Sequence, residues 1–276
     1  MAQENVVPDS QKPWALVTGA SAGIGAEFCR QLAAQGYQLV LVARREEKLQ
    51  AIAEELKTSY GADSLIITAD LSKKDASQSI VNRLEEQNIE VEYLVNNAGY
   101  GLPGSFHVPG WQEHADFIQL MMTAVCELTW RLLPGMRNRK RGFIINVASV
   151  AGLIPSSAGH TLYGASKSFL IKFSESLSLE NEHSGVKVTA LCPGFTYSEF
   201  HDVNNTRSTV NQLPSYLWLE SEMVVSDTLS AMSKDKVIST VVPGRVYKTV
   251  VWVNRYLPWL GNLLIKKNAS NYRITD

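Results

Sequence analysis

Short apolar runs alternate along the chain with segments whose apolar residues return every three to four positions. The runs are Trp14–Thr18, Gln38–Ala43, Leu65–Ala69, Val91–Val95, Phe143–Ala148, Val186–Leu191 and Val237–Val242, each too short for an ordinary helix. Between them Ile24, Phe28 and Leu32 fall on one helical face, as do Leu49, Ile52, Ala53 and Leu56, then Ile80, Val81 and Leu84. A long helix is predicted over Trp111–Met136, and another after Tyr163 on Leu170, Phe173 and Leu177. Strands that alternate with helices build βαβ units and a parallel sheet. Strands apolar at nearly every position belong to a sheet covered on both faces. The expected fold is therefore α/β, doubly wound, with seven parallel strands. A tail over 1–12, one domain over 13–244 and a C-terminal segment over 245–276 are the expected divisions.

The stretch Phe195–Met232 breaks this rhythm, being polar, poor in glycine and without clear periodicity. In doubly wound sheets ligands bind outside the C-terminal strand ends. An insertion there, at about 195–232, is expected to serve as a substrate lid.

With 276 residues, 45% hydrophobic and 19% charged, the chain reads as an ordinary globular protein. A formal net charge of −1 argues against a dedicated nucleic-acid binder, which needs a basic surplus. Cys29, Cys126 and Cys192 are widely spaced, with neither disulfide nor metal-ligand spacing, and are read as buried thiols. Met1 to Pro13 lacks the apolar stretch of a signal peptide, no run is long enough to span a bilayer, and a cytoplasmic location is expected.

The first strand ends in Gly19-Ala20-Ser21-Ala22-Gly23-Ile24-Gly25. Glycines between a strand and a helix let backbone approach a pyrophosphate, and the helix N-terminus faces the negative charge. The end of the second strand indicates which dinucleotide binds. Sites for NAD place a carboxylate there, whereas this chain has Ala43 followed by Arg44 and Arg45. An arginine can pair with a 2′-phosphate, so NADP(H) is the expected cofactor. Arg44 is assigned to the phosphate and Arg45 to solvent.

Taken together, Thr18–Gly25, Asp70-Leu71, Asn96-Asn97-Ala98-Gly99, Ser149, Tyr163-x-x-x-Lys167 and Pro193-Gly194 resemble, in order and rough spacing, the short-chain dehydrogenase/reductases. The resemblance covers residues 12 to about 200 and implies a Rossmann-type sheet with strand order 3-2-1-4-5-6-7. It implies hydride transfer between NADP(H) and a ketone, aldehyde or secondary alcohol. Asp70 and Leu71 would contact the adenine. Asn96, Asn97, Ala98 and Gly99 would brace the sheet and lie along the adenosine. Pro193 and Gly194 would close over the nicotinamide, with Thr196 or Ser198 bonding its carboxamide. Homodimers or homotetramers, formed through the long helices, are usual in the family.

The chemistry of the triad follows from spacing and acidity. Tyr163 and Lys167 share a helix face. A phenol is a poor base at neutral pH, and a nearby ammonium favours the phenolate. Tyr163 could then exchange a proton with the substrate oxygen. By the resemblance, Lys167 also holds the nicotinamide ribose and Ser149 positions the reacting oxygen.

One residue departs from the family pattern. Met121 stands where relatives usually carry an asparagine that holds a water leading to the lysine. A thioether cannot do this, which leaves open a nucleotide-binding or scaffold protein with weak catalysis. Tyr100, Leu102, Phe106, Leu153, Ile154, Phe195, Phe200 and Tyr216 suggest an apolar pocket. His160 is read as a solvated loop residue, and Arg137–Arg141 as a solvated turn. Beyond Arg245 the bases Arg245, Lys248, Arg255, Lys266, Lys267 and Arg273 face a single acid, Asp276, with Trp252, Tyr256 and Trp259 interleaved. Packing on the domain or on a second subunit is expected for this segment. The alternative is an acyl or lipid reductase lying on an anionic membrane surface.

Overall fold

The computed structural model describes residues 12–102, 104–156, 158–200, 204, 213–257 and 259. The strands are β1 (Trp14–Thr18), β2 (Gln38–Ala43), β3 (Ser64–Thr68), β4 (Val91–Asn96), β5 (Gly142–Val147), β6 (Val186–Leu191) and β7 (Thr240–Val241). They form one parallel sheet in the order β3-β2-β1-β4-β5-β6-β7, as expected. Each strand sends alternate side chains to opposite faces, so each helps build two cores. Ala15 and Val17 of β1 join Leu39 and Leu41 of β2 on one side, with Phe28 and Leu32 of α1 (Gly23–Ala34) and Leu49 and Leu56 of α2 (Glu46–Tyr60). Leu16, Val40 and Val42 face the other side, with Ile80 and Leu84 of α3 (Ala76–Glu86). Each fully buried Leu or Phe contributes roughly 1.5–3 kcal/mol relative to exposure.

The predicted long helix exists but is not uniform. It runs as α4 (Trp111–Ile118), a π-helical turn (Gln119–Thr123) and α5 (Ala124–Asn138). Apolar spacing shows a helical face but does not register one extra residue in a turn. Strand β7 is shorter than the predicted Val237–Val242 because only Ala190 and Leu191 of β6 pair with it. Helix α6 (Thr161–Glu180) packs on β5 and β6 and carries the Tyr163–Lys167 face.

The lid reading of 195–232 needs correction over its second half. Ser221–Ser233 forms α7, which buries Val224, Val225, Thr228, Leu229 and Met232 against the first core and packs along α1. It is the crossover helix between β6 and β7, and its apolar face is too extensive for a mobile cover. Positions 201–203 and 205–212 lie outside the described residues. Helix α8 (Arg245–Tyr256) follows β7 and buries only Tyr247 fully. The segments 1–11 and 260–276, with Lys266, Lys267 and Arg273, also lie outside the described residues.

Candidate active site

The glycine loop joins β1 to α1 at the C-terminal edge of the sheet. Gly19 and Gly23 adopt φ of +65° and +54°, a region costly for other residues. A Cβ on Gly19 would stand 2.7 Å from Asn97 Nδ2, and one on Gly23 2.7 Å from Ser198 Cβ. A Cβ on Gly25 would overlap the Gly19 carbonyl oxygen. Ala22 caps α1 without a side-chain hydrogen bond, so no side chain competes for the first N–H groups of that helix. Ser21 and Ile24 complete the turn, with Ile24 packed on the first core. This loop fits a pyrophosphate.

Asn97 binds the loop to the end of β4. Its Nδ2 donates to the carbonyls of Thr18 (3.0 Å) and Gly19 (3.3 Å). Thr18 Oγ1 in turn accepts from the N–H groups of Asn97 and Ala98, at 2.9 and 3.0 Å. Asp70 accepts from the N–H and hydroxyl of Ser72. These bonds and the Arg44 charge outweigh burial and hold its carboxyl below the ordinary value. Leu71, expected at the adenine, is instead buried in the second core, so its side chain supports the turn from below. Gly99 faces Met121, whose Sδ would lie 3.0 Å from an added Cβ; Met121 is buried in the π turn.

At the end of β2 Arg45 differs from the expectation. Arg44 is exposed and, among the described residues, makes no hydrogen bond or ion pair; its charge is felt at Asp70. Arg45, assigned to solvent, donates to Ser21 Oγ at 2.9 Å and to Glu199 Oε2 at 2.8 Å. Two cations rather than one therefore flank the glycine loop.

Ser149, Tyr163 and Lys167 come together between β5, α6 and the turn after β6. Ser149 Oγ accepts from the Ala151 N–H at 3.1 Å and donates to the Pro193 carbonyl at 3.4 Å. Pro193 O also accepts from the Val150 N–H at 3.0 Å, which ties the Pro193-Gly194 turn to the serine loop. Lys167 Nζ donates to the Val147 carbonyl at 2.7 Å and lies 5.5 Å from the centre of the Tyr163 ring. The expected acidification of Tyr163 by the ammonium is not what this environment produces. Burial pushes the phenol up to about 12, opposed by its hydrogen bond with Ser149. Burial pulls Lys167 down to about 8, with the nearby Cys192 acting the other way. Desolvation penalises the charged form of both groups and sets the direction of both shifts.

Thr196 is buried and turns its hydroxyl to the Gly194 carbonyl at 3.1 Å, whereas Ser198 lies against Gly23. Among the expected pocket residues, Phe200 meets the Tyr163 ring at 5.9 Å between centroids. Tyr100 packs on Phe117, Phe195 packs on the first core beside Trp218, and Phe106 and Tyr216 are exposed.

Sequence reasoning missed two supports, the Asn146 partner of Asn96 and Tyr247. Asn96 and Asn146, opposite each other on β4 and β5, form a buried chain. Asn96 Nδ2 donates to Asn146 Oδ1 at 2.8 Å, and Asn146 Nδ2 to Ser174 Oγ at 2.9 Å. An asparagine inside the apolar run Phe143–Ala148 was the available signal. Tyr247 of α8 lies under Gly194, accepts from the Phe195 N–H at 3.0 Å and donates to the Leu217 carbonyl at 2.6 Å. Nothing in the local sequence distinguishes this tyrosine from the other aromatics of α8.

A doubly wound parallel sheet with this loop and this Ser–Tyr–Lys cluster defines a dinucleotide-dependent oxidoreductase. The chain belongs to the short-chain dehydrogenase family, whose model matches residues 13–208. It is 37% identical over 271 residues to 17-beta-hydroxysteroid dehydrogenase type 3 of Mus musculus, covering 95% of this chain and 86% of that protein. It is 31% identical to the very-long-chain 3-oxoacyl-CoA reductase of Anas platyrhynchos, covering 93% and 80% respectively. A short-chain dehydrogenase from Sphingobium yanoikuyae, solved in complex with NADPH, superposes with a TM-score of 0.77 at 29% identity, covering 96% of this chain and 98% of that one.

Proposed function

We propose that the protein is an NADP(H)-dependent reductase of bulky apolar ketones. The observation that carries this reading is the convergence of Ser149, Tyr163 and Lys167 beside the Pro193-Gly194 turn. When bound, NADP(H) supplies the hydride in reduction or receives it in oxidation. Gly19, Ser21, Ala22, Gly23, Ile24 and Gly25 would hold its pyrophosphate, Arg44 the 2′-phosphate, Asp70 with the Asn97–Gly99 main chain the adenosine, and Lys167 the nicotinamide ribose. Pro193, Gly194 and Thr196 would line the nicotinamide.

The chain's own groups do the proton chemistry. Ser149 redirects its hydroxyl from the Pro193 carbonyl to the substrate oxygen and fixes its position. Tyr163, neutral at physiological pH, hydrogen-bonds the same oxygen and gives it the proton that completes the alcohol. Lys167 stays charged below about pH 8 and stabilises the phenolate left behind. Phe200, tilted against the Tyr163 ring, would present an apolar surface near the reacting carbon. The likeness to a 17-beta-hydroxysteroid dehydrogenase and a very-long-chain 3-oxoacyl-CoA reductase supports steroid or long-chain 3-oxoacyl ketones as the substrate class.

Incubation with NADPH and a panel of steroid, acyl and small ketones tests the proposal. Consumption of NADPH that Tyr163→Phe abolishes is the expected result. Absence of consumption with every ketone would refute it.

A second reading, attachment to an anionic membrane surface, is favoured by α8. Its exposed face carries Trp252, Tyr256, Lys248 and Arg255 with no acid in the helix, and Trp259 is exposed just beyond it. Aromatics and cations on one face suit the lipid interface. No helix among the described residues is long and apolar enough to cross a membrane. Sedimentation with anionic vesicles, comparing the full chain with Trp252→Ala/Tyr256→Ala, tests it; equal partitioning of both would remove the idea.

A further inference from the structure

Glu199 stands on the segment that leaves β6, two turns of chain beyond the Pro193-Gly194 turn. Its carboxylate is held from two sides by α2 and its cap. Glu199 Oε2 accepts from Arg45 Nη1 at 2.8 Å, and Oε1 from Lys48 Nζ at 2.5 Å. Arg45 uses its other terminal nitrogen for Ser21 Oγ at 2.9 Å, in the glycine loop itself. One residue earlier, Ser198 rests against Gly23. An open cavity of about 570 Å³ lies beside this cluster, lined by Ser21, Gly23, Lys48, Tyr197, Ser198 and Glu199. The group is therefore reachable from solvent, and each of the three charged side chains is 41–45% exposed.

The charge balance gives the cluster a consequence. Arg44, Arg45 and Lys48 place three positive charges around the end of β2 and the start of α2; Glu46 and Glu47 of the first turn of α2 add two negative charges there, and Glu199 is the acid that pairs with Arg45 and Lys48. A phosphomonoester near Ser21 brings nearly two negative charges, whereas a ribose hydroxyl brings none. Glu199 takes one terminal nitrogen of Arg45, a nitrogen that could otherwise donate to a phosphate. Glu199 thus competes with a phosphate for Arg45 and repels it across the shared cation. It does neither to a dinucleotide that lacks the phosphate.

We propose that Glu199 is a specificity-determining residue: an internal anion that occupies the Arg45–Lys48 pair and limits how strongly the protein prefers a 2′-phosphorylated dinucleotide over its unphosphorylated counterpart. This rests on the proposed binding of NADP(H) and adds Arg45 and Lys48 to the phosphate-facing set. The alternative role, a plain latch holding the post-β6 segment over the cofactor, makes a different prediction. A latch acts on the pyrophosphate and nicotinamide common to both dinucleotides, so its loss weakens both alike.

Fluorescence titration of NADPH and NADH against the full chain, Glu199→Gln, Arg45→Ala and the double variant separates the two. The expected result for Glu199→Gln is a rise of about fivefold in the ratio of NADH to NADPH dissociation constants at low salt, shrinking as salt screens the exposed charges. In the Arg45→Ala background the same substitution leaves the ratio almost unchanged, because the shared cation is gone. An unchanged ratio in Glu199→Gln, with both dinucleotides weakened or neither affected, overturns the proposal while leaving NADP(H) binding intact. Failure of the unmodified protein to bind NADPH overturns both this inference and the cofactor assignment.

Discussion

Replacing Lys167 with methionine should make the protein more stable and inactive at once, and the stability gain should fade in alkali. The lysine is 5% exposed, and burial pulls it from the ordinary value of 10.5 to about 8. At about 1.4 kcal/mol per tenfold, keeping the ammonium inside at neutral pH costs the folded state about 3 kcal/mol. Its hydrogen bond to the Val147 carbonyl returns about 1–2 kcal/mol. Methionine fills nearly the same volume without the charge. The variant should therefore gain about 1–2 kcal/mol at pH 7.

The sign of the pH dependence follows from proton counts. The native state gives up the lysine proton near pH 8, while the unfolded chain keeps it until 10.5. Between these values the unfolded state binds more protons, so native stability rises with pH. The penalty is fully present below the folded value and vanishes above the unfolded one. From pH 7 to pH 10 the lysine protein should recover about 2.5 kcal/mol relative to the methionine variant, which carries no such group. Urea unfolding of both proteins at a series of pH values measures the difference directly. Other titrating groups, including Tyr163 and the buried cysteines, are common to both proteins and largely cancel. A difference that stays constant from pH 7 to pH 10 would refute the argument that burial sets the charge of this lysine.

Three further outcomes follow from the same geometry. Reduction of a ketone should hold a level kcat/KM at neutral pH and fall above about pH 8, where Lys167 loses its charge, whereas alcohol oxidation should rise with pH because Tyr163 sits near 12; parallel profiles in the two directions would contradict this. Asn146→Ala removes the acceptor of Asn96 and a donor to Ser174 in a dry setting, and should cost about 2–3 kcal/mol in urea unfolding, with little change if the chain of amides is unimportant. Gly25→Ala drives a methyl into the Gly19 carbonyl and should weaken NADPH binding more than tenfold in a fluorescence titration; near-normal affinity would mean that the loop does not hold the pyrophosphate.

Much of the fold was legible because it depends on local alternation. The limits of β1, β2 and β6 match the apolar runs residue for residue, since strands buried on both faces are apolar over most of their length. The edge strand β7 was overestimated because its extent depends on what β6 offers, not on its own residues. The stretch Ser221–Ser233 escaped as a helix because serines, Asp227 and Thr228 interrupt its face. Thr228 satisfies its hydroxyl internally on the Val224 carbonyl at 2.7 Å, which periodicity does not reveal. The π turn at Met121 was invisible for a related reason: it shifts register by one residue while leaving every residue type helix-compatible.

Site residues were legible as identities and spacings but not as charge states. The four-residue step puts Tyr163 and Lys167 on one face, yet it does not specify how much water surrounds them. The structure surrounds Lys167 with the Val147 carbonyl, the Tyr163 ring and the Cys192 thiol, and among the described residues no carboxylate pairs with it. Without a fixed anion, desolvation prevails: the phenol keeps its proton and the ammonium is held only loosely. The same reasoning explains why Arg45 was read as a solvent residue. Arg44 and Arg45 are equivalent in sequence, and only the arrival of Glu199 from 154 positions downstream makes one of them part of a charge cluster. Motifs fix which groups meet; the proton and charge balance among them is set by chain segments too distant for a motif to contain, and it is there that substitutions such as Lys167→Met and Glu199→Gln act.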